Sequence, residues 1–138
     1  MGHAVAHIQQ MEQKVKTLRV FLVEDSPLLR KRIETMLDAL PGARVTGHAA
    51  TADAAIDAIL ADPPDAVVLD IQLEKGSGFD VLRSVREGAP AVAVYILTNF
   101  ANDGYRAAAT RLGAKGFFDK TNEFERLREA LAAAAGQG

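Results

Sequence analysis

Four apolar runs, each closed by polar residues able to do chemistry, constrain this chain more than any other feature. The runs are Val20-Phe21-Leu22-Val23, Ala66-Val67-Val68-Leu69, Val92-Ala93-Val94-Tyr95-Ile96-Leu97 and Gly116-Phe117-Phe118. Glu24 and Asp25 follow the first, Asp70 the second and Thr98 the third, while Lys120 stands just past the fourth. Near-continuous hydrophobic strands of this kind are buried on both faces, as in a parallel sheet covered by helices. All strand carboxyl ends of such a sheet point to one edge, where open α/β folds bind ligands. Polar residues from four distant segments are therefore expected to converge on one place.

From Leu18 onward the runs alternate with segments of helical periodicity, which argues for a doubly wound α/β domain with a five-stranded parallel sheet and helices on both faces. Strands are expected at 18–23, 43–48, 66–70, 92–98 and 115–118. Ser26 is a candidate N-cap with Pro27 at the first helical position, and Leu28, Leu29, Ile33, Met36, Leu37 and Leu40 read as the apolar stripe of that helix, which ends at Pro41-Gly42. A second helix starts after Thr51 and runs through Ala54, Ala55, Ile56 and Leu60 until Pro63-Pro64 stops it. A third covers about Gly78 to Glu87, a fourth about Asn102 to Leu112 with Gly113 as a left-handed cap, and a fifth runs from Asn122 or Glu123 to about Ala134 with Phe124, Leu127 and Leu131 on one face.

At 138 residues the chain has one domain's length. A net charge of -2 gives no global attraction to nucleic acid or to an anionic membrane. No apolar stretch approaches the ~20 residues that span a bilayer, so no membrane insertion is expected. The absence of cysteine rules out thiolate metal sites and suits a reducing compartment, so a cytoplasmic location is expected. Residues 1–17 form an extension outside the alternation. Ala4, Ile8, Met11, Val15 and Leu18 are spaced like the seam of a short amphipathic helix or coiled coil for dimerisation or docking, beside the plainer reading of a partly ordered leader or a vestige of expression design. His3, His7 and His48 show no metal spacing.

Three carboxylates at one sheet edge repel one another unless a cation offsets them. Oxygen ligands of this kind suit Mg2+. An acid cluster, a hard cation, a hydroxyl and an ammonium together fit phosphoryl transfer, in which a protein mainly positions groups and neutralises charge. Taken singly, Asp70 is a turn residue, Glu24-Asp25 a helix cap and Lys120 solvated surface. The signal lies in their ordered appearance at successive strand ends.

Over about Leu18 to Ala134, within a domain set at 18–136, the chain resembles the receiver domains of two-component response regulators. The resemblance implies a flavodoxin-like strand order of 2-1-3-4-5. It also implies a phosphoacceptor aspartate, Asp70, that accepts a phosphoryl group from a sensor histidine kinase or a histidine phosphotransfer protein. Glu24, Asp25, Asp70 and the backbone carbonyl of Gln72 match the Mg2+ ligands. Thr98 and Lys120 match the hydroxyl and ammonium that contact the phosphoryl group, and Phe117 matches the switch aromatic that acts with Thr98. A core role for Phe117 stands beside that one.

With no output region recognised, a stand-alone regulator acting on a downstream protein is expected, without direct nucleic-acid contact and without enzyme activity beyond self-phosphorylation and slow self-dephosphorylation. A homodimer, through the fourth helix, fifth strand and fifth helix or through the extension, is a further option.

Two features depart from the family's commonest pattern. Glu74-Lys75 and Thr121 stand where prolines are usual, so the Lys120–Thr121 peptide lacks the proline that favours a cis bond. Gln72 and Phe100, two residues past Asp70 and Thr98, flank the expected path of an attacking water, which points to slow hydrolysis of the phosphoryl group. A phosphatase using an aspartyl phosphate would carry a second aspartate where Gln72 stands. A nucleotide-binding loop would need a GxxxxGK[ST] motif the chain lacks. An adaptor that works without phosphorylation would have lost the acids or the lysine, and both are present.

Overall fold

The structure is a computed structural model describing residues 17–136. Five parallel strands, β1 (Leu18–Val23), β2 (Ala43–Ala49), β3 (Ala66–Leu69), β4 (Ala93–Thr98) and β5 (Gly116–Asp119), alternate with five helices. The helices are α1 (Pro27–Asp38), α2 (Ala52–Ala61), α3 (Gly78–Gly88), α4 (Asp103–Arg111) and α5 (Phe124–Ala135). The sheet order is β2-β1-β3-β4-β5, the flavodoxin-like order.

Alternate strand residues feed two cores, one on each face of the sheet. Val20, Leu22, Val68, Tyr95 and Leu97 pack under α1 and α5 through Ile33, Leu37, Leu127 and Leu131. Phe21, Val23, Val67, Leu69, Val94, Ile96 and Phe117 pack under α2, α3 and α4 through Ile59, Leu82, Val85 and Ala109. All four residues of β3 are buried, as expected of the central strand. That strand carries Asp70 on its end.

Helix starts follow side-chain chemistry. The Oγ atoms of Ser26, Thr51 and Ser77 accept from Leu29 N, Ala54 N and Phe79 N, and Asn102 Oδ1 accepts from Tyr105 N. Gly113, at φ +91°, closes α4 in the left-handed conformation expected of it.

Several expectations need correction. Leu28 is 83% exposed and not part of the α1 stripe. It falls about 100° round the helix from Leu29, on the side of Lys31, Arg32 and Thr35. In α2 the buried positions are Ala52, Ala55 and Ile59, whereas Ala54 and Leu60, through which the expected helix runs, face outward. α1 stops at Asp38 rather than at Pro41-Gly42, since the Ala39 and Leu40 amides turn back to the Thr35 and Leu37 carbonyls. β3 ends before Asp70, and β4 and β5 each begin one residue later than expected. Of the expected seam, Ala4, Ile8, Met11 and Val15 lie outside the described residues, and Leu18 opens β1.

Candidate functional site

β1, β3, β4 and β5 bring the expected side chains to one end of the sheet. Glu24 and Asp70 leave neighbouring strands in step, their amides donating to the Ala49 and Val23 carbonyls at 3.0 Å each. Oxygen atoms of Glu24, Asp25 and Asp70 all lie within 4.8 Å of one another. Glu24 and Asp70 are buried and Asp25 is exposed. The Lys120 ammonium reaches across to donate to Asp70 Oδ2 at 2.7 Å and to Glu24 Oε1 at 3.2 Å.

Thr98, fully buried, ends β4 on the face that Phe117 also occupies. Its Oγ1 accepts from Phe100 N at 3.2 Å, and its carbonyl accepts from Lys120 N at 3.0 Å, so hydroxyl and ammonium are tied by one backbone bond. Gln72 N donates to Asp70 Oδ1 at 3.3 Å. Phe117 is buried against the sheet, which its core role requires. Among the described residues no peptide bond is cis, so Lys120–Thr121 is trans.

The loop after Asp70 is held by a close backbone crossing. Gly78 N donates to the Ile71 carbonyl at 2.7 Å. A Cβ at residue 78 would lie 2.2 Å from the Asp70 carbonyl oxygen, so only glycine lets α3 begin against the end of β3.

Electrostatics follow this crowding. Burial pushes the Glu24 carboxyl up to about 7, with the Asp70 charge adding to the effect and the Lys120 ammonium opposing it. For Lys120 burial acts downward, but the hydrogen bond and charge of Asp70, with those of Glu24, outweigh it and raise the ammonium above its usual value. One ammonium among three clustered acids leaves an excess of negative charge.

The donor set therefore fits a hard divalent cation. Three carboxylates offer oxygens within 4.8 Å, with no nitrogen or sulfur ligand among them. Lys120 engages one oxygen of Asp70 and one of Glu24, and each of these carboxylates has a second oxygen.

Two residues not singled out in the sequence also bear on this corner. Arg106 of α4 donates to the Phe117 carbonyl and pairs with Glu123, whose carboxylate accepts from Asp119 N beside Lys120. No motif flags Arg106, because its partners lie 11 and 17 residues away and meet it only in the folded chain.

A doubly wound domain with an acid trio, a hydroxyl and an ammonium at the carboxyl edge is the arrangement that the resemblance to two-component receiver domains implies. The chain belongs to the response regulator receiver domain family, whose model matches residues 20–132, and so to two-component signalling. It is 32% identical over 114 residues to YvfU of Bacillus subtilis, described as an uncharacterized transcriptional regulatory protein, covering 83% of this chain and 57% of that one. It is likewise 32% identical over 114 residues to the DNA-binding transcriptional activator DevR/DosR of Mycobacterium tuberculosis, covering 83% and 52%. The chain thus spans about half the length of these relatives. Among solved structures, a LuxR-family two-component response regulator from Aurantimonas superposes with a TM-score of 0.81 at 28% identity, covering 88% of this chain and 87% of that one. Among the described residues no helix is long and apolar enough to cross a membrane.

Proposed function

We propose that this domain is a phosphorelay receiver that accepts a phosphoryl group on Asp70 from a phosphohistidine partner. A sensor kinase or a histidine phosphotransfer protein supplies that phosphohistidine, and the phosphorylated surface acts on a downstream protein. The observation that carries this reading is the Lys120 ammonium, placed between Asp70 and Glu24 where three carboxylates meet.

A carboxylate is a weak nucleophile, so the incoming phosphoryl group needs its charge neutralised. An Asp70 oxygen attacks phosphorus as the phosphorus–nitrogen bond of the donor breaks, and the electron pair returns to the imidazole, which then takes up a proton. Lys120 follows the charge from the carboxylate to a phosphoryl oxygen. Thr98 accepts its bond from Phe100 N and keeps its own hydroxyl proton to donate to another. Glu24, Asp25, Asp70 and the Gln72 carbonyl would hold Mg2+, which when bound neutralises the acids and the phosphoryl oxygens. Conversion of the Asp70 carboxylate to an acyl phosphate adds about one unit of negative charge and new acceptor oxygens, the signal that Thr98 and Lys120 read.

Activity stops at self-phosphorylation and slow self-dephosphorylation, since Gln72 and Phe100 stand beside the phosphoacceptor and the hydroxyl. The domain works in the cytoplasm. Whether it works as a stand-alone regulator is read from the mass and partners of the natural product.

Intact mass after incubation with acetyl phosphate tests the reading. A single phosphoryl adduct that needs both Mg2+ and Asp70, and is absent in Asp70→Asn, is expected. No adduct under any condition would overturn it in favour of an adaptor that binds without phosphorylation.

A further inference from the structure

Helix α4 is the most thinly anchored of the five. It buries only Ala109, whereas α1 buries Ile33, Met36 and Leu37, α2 and α3 bury at least as many, and α5 buries Leu127 and Leu131. Arg106 offsets this deficit. Its Nη1 donates to the Phe117 carbonyl at 2.9 Å, and its guanidinium carbon lies 4.8 Å from the Phe117 ring centroid. Its Nη2 pairs with Glu123 Oε1 at 3.1 Å. Among the described residues no other α4 side chain hydrogen-bonds beyond its own helix and cap.

Both ends of this grip lead to the candidate site. Glu123 Oε1 also accepts from Asp119 N at 3.0 Å, and Glu123 N donates back to the Asp119 carbonyl at 2.9 Å. Asp119 immediately precedes Lys120, whose amide holds the Thr98 carbonyl. Phe117 is register-paired with Ile96, two residues before Thr98 on β4. A planar guanidinium holds several partners in fixed geometry, which an ammonium does not. A shift of Lys120 or Thr98 toward new phosphoryl oxygens therefore moves atoms that Arg106 touches directly.

We infer that Arg106 is the positioning residue through which helix α4 registers the state of Asp70. This rests on the phosphoacceptor reading of Asp70. The ring of Phe117 is already buried and covered by the guanidinium, so it cannot swing outward without breaking this grip. The Arg106 contacts to β5 and to the following loop, rather than free rotation of the ring, carry the change. An element whose equilibrium is biased at one site and read at another is the physical content of such coupling.

Amide hydrogen exchange of residues 103–111, with Mg2+ alone and with Mg2+ plus beryllofluoride, tests this in the wild type, Arg106→Gln and Glu123→Gln. In the wild type, beryllofluoride should change α4 exchange several-fold. In Arg106→Gln, α4 should exchange about tenfold faster with Mg2+ alone, and the ratio between the two conditions should collapse toward one. Glu123→Gln, which keeps the Phe117 contacts, should move both quantities the same way by less. An anchor with no coupling role would speed exchange equally in both conditions and leave the ratio intact, and that result overturns the inference. Intact mass after acetyl phosphate treatment of the same samples separates the failures. Adducts in all three proteins with an unchanged ratio sink the coupling alone, while no adduct in the wild type sinks the phosphoacceptor reading and the coupling with it.

Discussion

Lys120 and Asp70, 50 residues apart in the chain, meet at 2.7 Å, and both side chains are largely withdrawn from solvent, at 12% and 6% exposure. An ion pair so placed stabilises less by its own attraction than by preventing uncompensated charge. Replacing Lys120 with Met should therefore cost roughly 3 kcal/mol in the metal-free protein. Urea unfolding would measure the loss, and added Mg2+ should recover part of it by offsetting the same carboxylates. An unchanged midpoint would mean that the pair contributes nothing.

The crossing at Gly78 makes a second prediction. Gly78 has no positive φ, so alanine there is refused on steric rather than conformational grounds. Gly78→Ala should destabilise the fold by about 3 kcal/mol and weaken Mg2+ binding, because the clash falls on the Asp70 carbonyl. Thermal unfolding and metal titration of the same variant would test both effects.

A pH dependence follows from Glu123. The hydrogen bond from Asp119 N, followed by that from Arg106, holds its carboxyl below the usual carboxylate range. A carboxyl depressed in the folded state contributes stability that is fully present above its unfolded value and is lost as pH falls through its folded value. The stability difference between wild type and Glu123→Gln should be about 1 kcal/mol near neutrality and shrink on acidification below pH 4.5, the ordinary glutamate value. Unfolding midpoints of the two proteins across that range would show it. A constant difference would contradict it.

Phe100 is 44% exposed beside the Thr98 hydroxyl, to which its amide donates. Truncating it to alanine leaves the amide in place and removes the ring from the expected water path. The lifetime of the phosphorylated protein should shorten about fivefold, as expected from lowering a barrier by roughly 1 kcal/mol. Decay of the adduct after removal of acetyl phosphate would be followed by mass. An equal or longer lifetime would remove Phe100 from any part in hydrolysis.

Much of this was legible before folding because strand ends and caps are local chemistry. Ser26, Thr51, Ser77 and Asn102 accept the amides of their own helices, and Glu24, Asp70 and Thr98 directly follow an apolar run, with Asp25 and Lys120 one residue further on. Leu28 and Leu60 face solvent although both are apolar, because helical phase shifts the face by 100° per residue and leucine alone does not say which side it takes. The grip of Arg106 and the crossing of Gly78 on Asp70 were illegible for a different reason. Both depend on two segments passing within a few ångströms, which no spacing within one segment records.

The sparse burial of α4 also separates architecture from surface identity. Asp103, Gly104, Ala107 and Thr110 are all exposed on a helix that contributes only Ala109 to the core. Replacements at these four positions escape the volume rules that govern Leu82 or Val85. Their chemistry can drift, or be diversified in a library, without repacking the sheet, so a change of recognition preference and a change of stability need not accompany each other on this face.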